Sequence, residues 1–163
     1  MKNQLTSSNR IYLGQCTCNK VKFTCTSEPI FAQYCHCNKC REIALMSENE
    51  KDKIGYSYTA AYLTQNFSIT AGENNLEELI RLNARLLLCS TCKSLIYGIS
   101  LDPEKQGGIG INVNNFVFNN DIPESFKPVR HTWYANRIVN FDDNLPKFKD
   151  APKEQFGSGE LMD

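Results

Sequence analysis

Three thiols and an imidazole occupy six consecutive residues, Cys35-His36-Cys37-Asn38-Lys39-Cys40. The spacing suits a single metal ion. Alternate residues of an extended segment share a side, and C-x-x-C folds into a knuckle whose two sulfurs converge. Two more short spacings follow the same logic, Cys16-x-Cys18 and Cys89-x-x-Cys92. Seven of the eight cysteines are therefore clustered, and zinc is the ion that thiol sets of this kind select. Disulfides are the competing use of so much sulfur. The N-terminal stretch "MKNQLTSSNR" lacks the apolar run of a signal peptide, so the expected compartment is cytoplasmic, where thiols stay reduced.

Seven ligands divide most economically into four and three, giving two zinc ions per chain. Cys16, Cys18, Cys89 and Cys92 would close a structural site that ties the first strand to the "ARLLLC" hairpin. Such a cross-link closes a loop of about seventy residues and would supply a large share of the fold's stability. Cys35, Cys37 and Cys40 would hold a second zinc with an open position, and open positions are where catalytic zinc works. A competing division joins Cys16 and Cys18 to two of the middle trio in one structural site. Cys25, at strand spacing from Phe23, reads as a small buried hydrophobe. His36 has a proposed ligand on either side. In an extended segment it points away from them, toward the surface or behind the ligands. A nucleobase deaminase would need glutamate two residues past its ligand histidine, where Asn38 stands. The two histidines, His36 and His131, lie too far apart for a two-histidine zinc finger.

The elements that must position these residues are mainly strands. "IYLGQC", "KVKFTCTS" and "PIFAQYC" are short, rich in β-branched and aromatic residues, and separated by turn formers. "NKCREIAL" fits one or two helical turns, and "SENEKDKIG" reads as a charged surface loop. "YSYTAAYLTQ" and "NFSITA" resemble a hairpin pair with the turn "GENN". "ARLLLC" and "SLIYGISL", joined by "STCK", are the next strands; "GGIGINVNNFVF" and "HTWYANRIVNF" supply one each. Residues 1–10 read as a flexible N-terminus, 11–148 as one zinc-binding domain, and 149–163 as a polar tail. Eighteen basic residues balance eighteen acidic ones, so no phosphate-tracking surface for nucleic acid is expected. The apolar runs are too short to span a bilayer.

With the clusters placed, the chain resembles the glutathione-dependent formaldehyde-activating enzyme family, which shares a domain with the centromere protein V group. The resemblance runs from Tyr12 to Pro152: Gly14-x-Cys16-x-Cys18 with Val21-Lys22-Phe23, then Cys35-His36-Cys37-x-x-Cys40-Arg41, then "NFSITAGE". Cys89-x-x-Cys92-x-Ser94-Leu95 and the closing "HTWY…FDDNLPKF" complete it. Asn19 and Lys93 stand where the family usually has glycine. "EIALMSENEKDKIG" replaces a small, glycine-bearing run, and "LEELIRLNARLLL" a serine-rich segment.

The resemblance implies a mainly β, zinc-stapled β-tent of the Mss4-like kind with a few short helical turns, and it favours the four-plus-three division. It implies a carbon–sulfur lyase that adds a zinc-held thiol, glutathione by default, to formaldehyde, giving S-(hydroxymethyl)glutathione. Arg41, Lys39 and Arg130 are then candidate partners for glutathione's carboxylates. A non-catalytic zinc module that binds a partner is the alternative. Pairing of the "GGIGINVNN" edge would make a homodimer.

Overall fold

The computed structural model describes residues 10–162 and is mainly β, with one α-helix and several short 3-10 turns. Residues 1–9, expected to be flexible, lie outside the described residues. Among the described residues ten strands form two sheets. β1 (Ile11–Gln15), β2 (Lys22–Thr26) and β5 (Phe67–Ala71) make the small one, in the order β1-β2-β5. The large one runs β10-β3-β4-β9-β8-β7-β6, from β3 (Phe31–Cys35), β4 (Ser57–Leu63), β6 (Leu76–Arg81), β7 (Ala84–Cys89), β8 (Leu95–Ser100), β9 (Gly108–Asn112) and β10 (Pro128–Thr132).

The core lies between the two sheets because their residues alternate. β1 turns Tyr12 and Gly14 inward and leaves Ile11 and Leu13 outside. A Cβ on Gly14 would come within 2.1 Å of the Phe23 ring, so the close approach of β1 and β2 requires glycine there. Tyr12, Phe23 and Cys25 of the small sheet meet Ala32, Ala60, Tyr62, Ile109 and Ile111 from the inner face of the large one, with Phe116 and Phe126 between them. Edge-to-face pairs such as Tyr12–Phe126 at 4.8 Å and Phe23–Phe116 at 5.3 Å add to the area buried. Cys25 is fully buried, as its spacing predicted.

Across the outer face of the large sheet lies the helix, α1 (Asn38–Met46). Its buried Ile43 packs on Ala84, Leu86 and Leu88, with Leu79 and Leu95 alongside. Cys37 is its N-cap and Ser47, back in extended conformation, ends it.

Several sequence expectations need correction. The segments 56–65 and 66–71 are not a hairpin. β4 pairs with β3 and β9, whereas β5 crosses to the small sheet and pairs with β2. Period-2 alternation marks a buried face without naming the partner strand. β6 carries the strong helix formers of "LEELIR" yet pairs along its whole length with β7. The last strand is 128–132, not 131–141, because Trp133 adopts a left-handed backbone (φ 54°) and Tyr134–Asn136 is a 3-10 turn. β9 is bonded on both sides, to β4 and to β8, so it has no free edge for a homodimer. In the expected surface loop, Asp52 is buried and accepts from Ser47 Oγ (2.6 Å), Asn112 Nδ2 (3.0 Å) and Asn114 Nδ2 (2.9 Å). The polar stretch from 149 folds back: Trp133 N–H donates to Asp150 O, Phe148 bridges Leu161, and Ala151 and Pro152 are buried. Among the described residues no helix is long and apolar enough to cross a membrane.

Candidate metal centres

The chain leaves β1 through a tight turn in which Cys16 N–H donates to Val21 O (3.0 Å) and Asn19 N–H to Cys16 O (2.9 Å). Asn19 sits at φ 68°, a left-handed conformation that asparagine tolerates. An equivalent knuckle closes β7 to β8. There Lys93 N–H donates to Cys89 O (2.8 Å) at φ 61°, so lysine occupies a conformation that favours glycine. The two knuckles face each other and bring the sulfurs of Cys16, Cys18, Cys89 and Cys92 within 4.8 Å of one another. Cys16–Cys18 and Cys18–Cys89 are each 3.5 Å apart. Ligand arms of about 2.3 Å give a tetrahedral edge near 3.8 Å, so the donor set fits a zinc ion. Asn75 Nδ2–H donates to Cys89 Sγ (3.2 Å) and Val21 N–H to Cys16 Sγ (3.3 Å), contacts that favour charged sulfur. Burial pushes the Cys16 thiol up to about 12. Burial also raises Cys89, but the backbone amides of Cys92 and Thr91 and the neighbouring sulfurs outweigh it and hold that thiol at about 7.

The sulfurs of Cys35, Cys37 and Cys40 form the second cluster, again within 4.8 Å. Cys35 ends β3, Cys37 caps α1, and Cys40 lies in its first turn, donating its N–H to Cys37 Sγ (3.3 Å). The positive end of the helix favours thiolate at this place. Hydrogen bonds from the Cys35 and Cys40 thiols and from the Cys40 amide hold Cys37 far below the ordinary thiol range, while its neighbours are raised. The trio thus shares one negative charge readily, and a cation is what would let all three ionise. Among the described residues no fourth Cys, His, Asp or Glu donor joins it.

His36 does point away from the sulfurs, but into the interior rather than to the surface. Its Nε2 lies 2.9 Å from His131 Nδ1, and His131 Nε2 lies 2.9 Å from Asp143 Oδ2. The chain's two histidines therefore bond each other, fully buried among Tyr56, Tyr134 and Phe141. Burial lowers both; His36 falls to about 4, helped by His131, Arg137 and Arg41. With both rings neutral and Asp143 an acceptor, His131 donates from Nε2 and His36 donates from its own. His36 Nδ1 is then left as a buried acceptor without a partner. No local spacing could have revealed this array, whose first link spans 95 residues.

A cavity of about 70 Å³ opens beside the trio, between α1 and the outer sheet face. Lys39 and Cys40 line it at the trio's end; Ile43, Leu86 and Leu95 form its apolar wall. Of the three basic residues expected to meet carboxylates, Lys39 alone reaches it. Arg41 Nη1 donates to His36 O (2.7 Å) and Asn136 O (2.5 Å), and its Nη2 to Asn38 Oδ1 (2.7 Å), so it fastens the helix start to the turn after β10. Arg130 lies over the Phe31 ring at 4.6 Å and donates to Gln33 Oε1 (3.1 Å).

Comparison with known proteins agrees with this picture. The family model described as glutathione-dependent formaldehyde-activating enzyme matches residues 11–136. The match includes all seven clustered cysteines and both histidines and stops short of Asp143. A crystal structure of a Rhodobacter sphaeroides protein shares the fold, with a TM-score of 0.51 and 19% identity over 74% of this chain and 99% of that one. No curated protein sequence matches closely enough to add a nearer relative.

Proposed function

The chain belongs to the glutathione-dependent formaldehyde-activating enzyme family, and we propose that it is a zinc-dependent carbon–sulfur lyase joining glutathione to formaldehyde as S-(hydroxymethyl)glutathione. The observation that carries this reading is the three-sulfur cluster, without a fourth protein donor among the described residues, set at a helix N-terminus and beside a cavity. Cys35, Cys37 and Cys40 would hold one zinc, and Cys16, Cys18, Cys89 and Cys92 a second, structural one. A zinc carrying three thiolates is a poor activator of water but lowers the pKa of a further thiol.

The chain's own residues do the rest. The amide of Cys40 and the helix dipole stabilise negative sulfur. The His36–His131–Asp143 array, with Arg41 on the His36 carbonyl, holds the Cys35–Cys37 backbone rigid from behind. Lys39 is the cation available at the mouth for a substrate carboxylate. Catalysis is mainly proximity and thiol ionisation. Eight free cysteines suit a reducing compartment such as the cytoplasm.

The test counts zinc per chain before and after mild chelation and measures glutathione binding in Cys37→Ser. We expect two zincs, one easily removed, and loss of both thiol binding and adduct formation in the folded variant. Unchanged turnover in Cys37→Ser would overturn the reading. One tightly held zinc with no thiol binding would instead indicate a non-catalytic interaction module.

A further inference from the structure

We propose that Ser57 donates a hydrogen bond to the carbonyl oxygen of the aldehyde, and that the cavity it lines is the aldehyde's subsite; this rests on the trio being the seat of the thiol. Ser57 opens β4 directly across from Cys35 in the antiparallel register. Facing residues of such a pair project to the same side, with Cβ atoms about 4.5–5.5 Å apart. The serine hydroxyl therefore stands beside a trio sulfur on the sheet's outer face, where the cavity lies.

Its Oγ is buried and has no hydrogen-bond partner among the described residues. Leaving a buried hydroxyl unpaired is costly, so it is poised for a ligand atom. Among the cavity's other polar groups, Asp52 receives Ser47, Asn112 and Asn114, and the Tyr58 hydroxyl donates to Phe126 O. His36 Nδ1, the other unpartnered atom, belongs to a ring turned away from the sulfurs.

Size and polarity identify the occupant. A volume of about 70 Å³ holds about five to seven waters at roughly 10–15 Å³ each. That admits a small carbonyl compound and excludes a tripeptide, whose bulk must lie outside. Ile43, Leu86 and Leu95 make one wall apolar, which suits the C–H side of a small aldehyde. In the step, the thiolate sulfur forms a bond to the carbonyl carbon and the C=O π pair moves onto oxygen. The Ser57 O–H stabilises that charge, and the oxygen then takes a proton from water, balancing the proton lost when the thiol ionised.

The experiment compares wild type, Ser57→Ala and Ser57→Thr at saturating glutathione. Relative to the uncatalysed background, Ser57→Ala should lower kcat/KM for formaldehyde about 100-fold. Glutathione affinity and thermal midpoint should stay unchanged, and Ser57→Thr should retain most of the activity. A second readout needs no turnover. Formamide, a carbonyl compound that thiols do not attack, is titrated in while the Ser57 and Cys40 amide signals are followed by NMR. Ser57→Ala should weaken its binding about five- to tenfold. Equal formaldehyde kinetics in an active wild type and Ser57→Ala would overturn the assignment and leave the lyase reading intact. An inactive wild type would sink the lyase reading, and the carbonyl subsite would then stand or fall on the formamide titration.

Discussion

The two cysteine clusters are built from the same atoms and differ in burial and in the sequence separation of their members. Cys16, Cys89 and Cys92 of the four-sulfur cluster are almost wholly shielded, and its members come from opposite ends of a long loop. Every member of the trio is partly exposed, and all three lie within six residues. A metal in the first joins the small sheet to the large one and removes a large loop entropy from the unfolded chain. A metal in the second constrains almost nothing that the helix cap does not already hold. On the proposed reading, sequence separation of the ligands, more than their chemistry, is what would divide a stabilising site from a reactive one.

The largest effect that would break this comparison is on stability. Cys89→Ser should remove the tightly held zinc and cost at least about 3 kcal/mol in denaturant unfolding, whereas Cys37→Ser should cost under about 1 kcal/mol. Equal losses would mean that both sites staple the fold.

A medium effect concerns the support behind the trio. Both histidines are buried neutral, with folded pKa values below the ordinary 6.5. The unfolded chain then binds protons that the folded chain refuses, so stability is complete above pH about 6.5 and is lost as pH falls toward 4. His36 alone accounts for about 2 kcal/mol between pH 8 and pH 5. Histidine ring NMR should show His36 unprotonated at pH 5.5; protonation near pH 6.5 would contradict the buried array.

The smallest effect sharpens the four-sulfur side. Lys93 holds a left-handed backbone and an exposed 2.5 Å ion pair with Glu77. Lys93→Gly relieves about 1 kcal/mol of strain and gives up under 1 kcal/mol of ion pair, so the unfolding midpoint should rise slightly. A clear fall would show that the charge supports the site.

Much of the site was legible because it is local. C-x-C and C-x-x-C spacings, the short helix after Cys37, and the glycine-like places of Asn19 and Lys93 depend on a few consecutive dihedrals. Strand segments such as 11–15, 22–26 and 84–89 were equally local, since alternation of apolar residues needs no partner to be visible. "LEELIR" was not legible as a strand, because its intrinsic preference is helical and the β7 edge overrides it. "SENEKDKIG" is mostly exposed, as its charge predicts; among its charged residues Asp52 is the exception, because Ser47 nearby and Asn112 and Asn114, 60 and 62 residues on, make its burial tolerable.

By itself, then, the sequence determined the ligand types, their pairing into knuckles and the mainly β character. Tertiary structure decided which cysteine sulfurs come within reach of one another and which sheet each strand joins. It also decided that His36 meets His131, and that Ser57 faces a cavity beside Cys35. Those outcomes depend on where the chain returns after tens of residues, and no short-range spacing encodes that path.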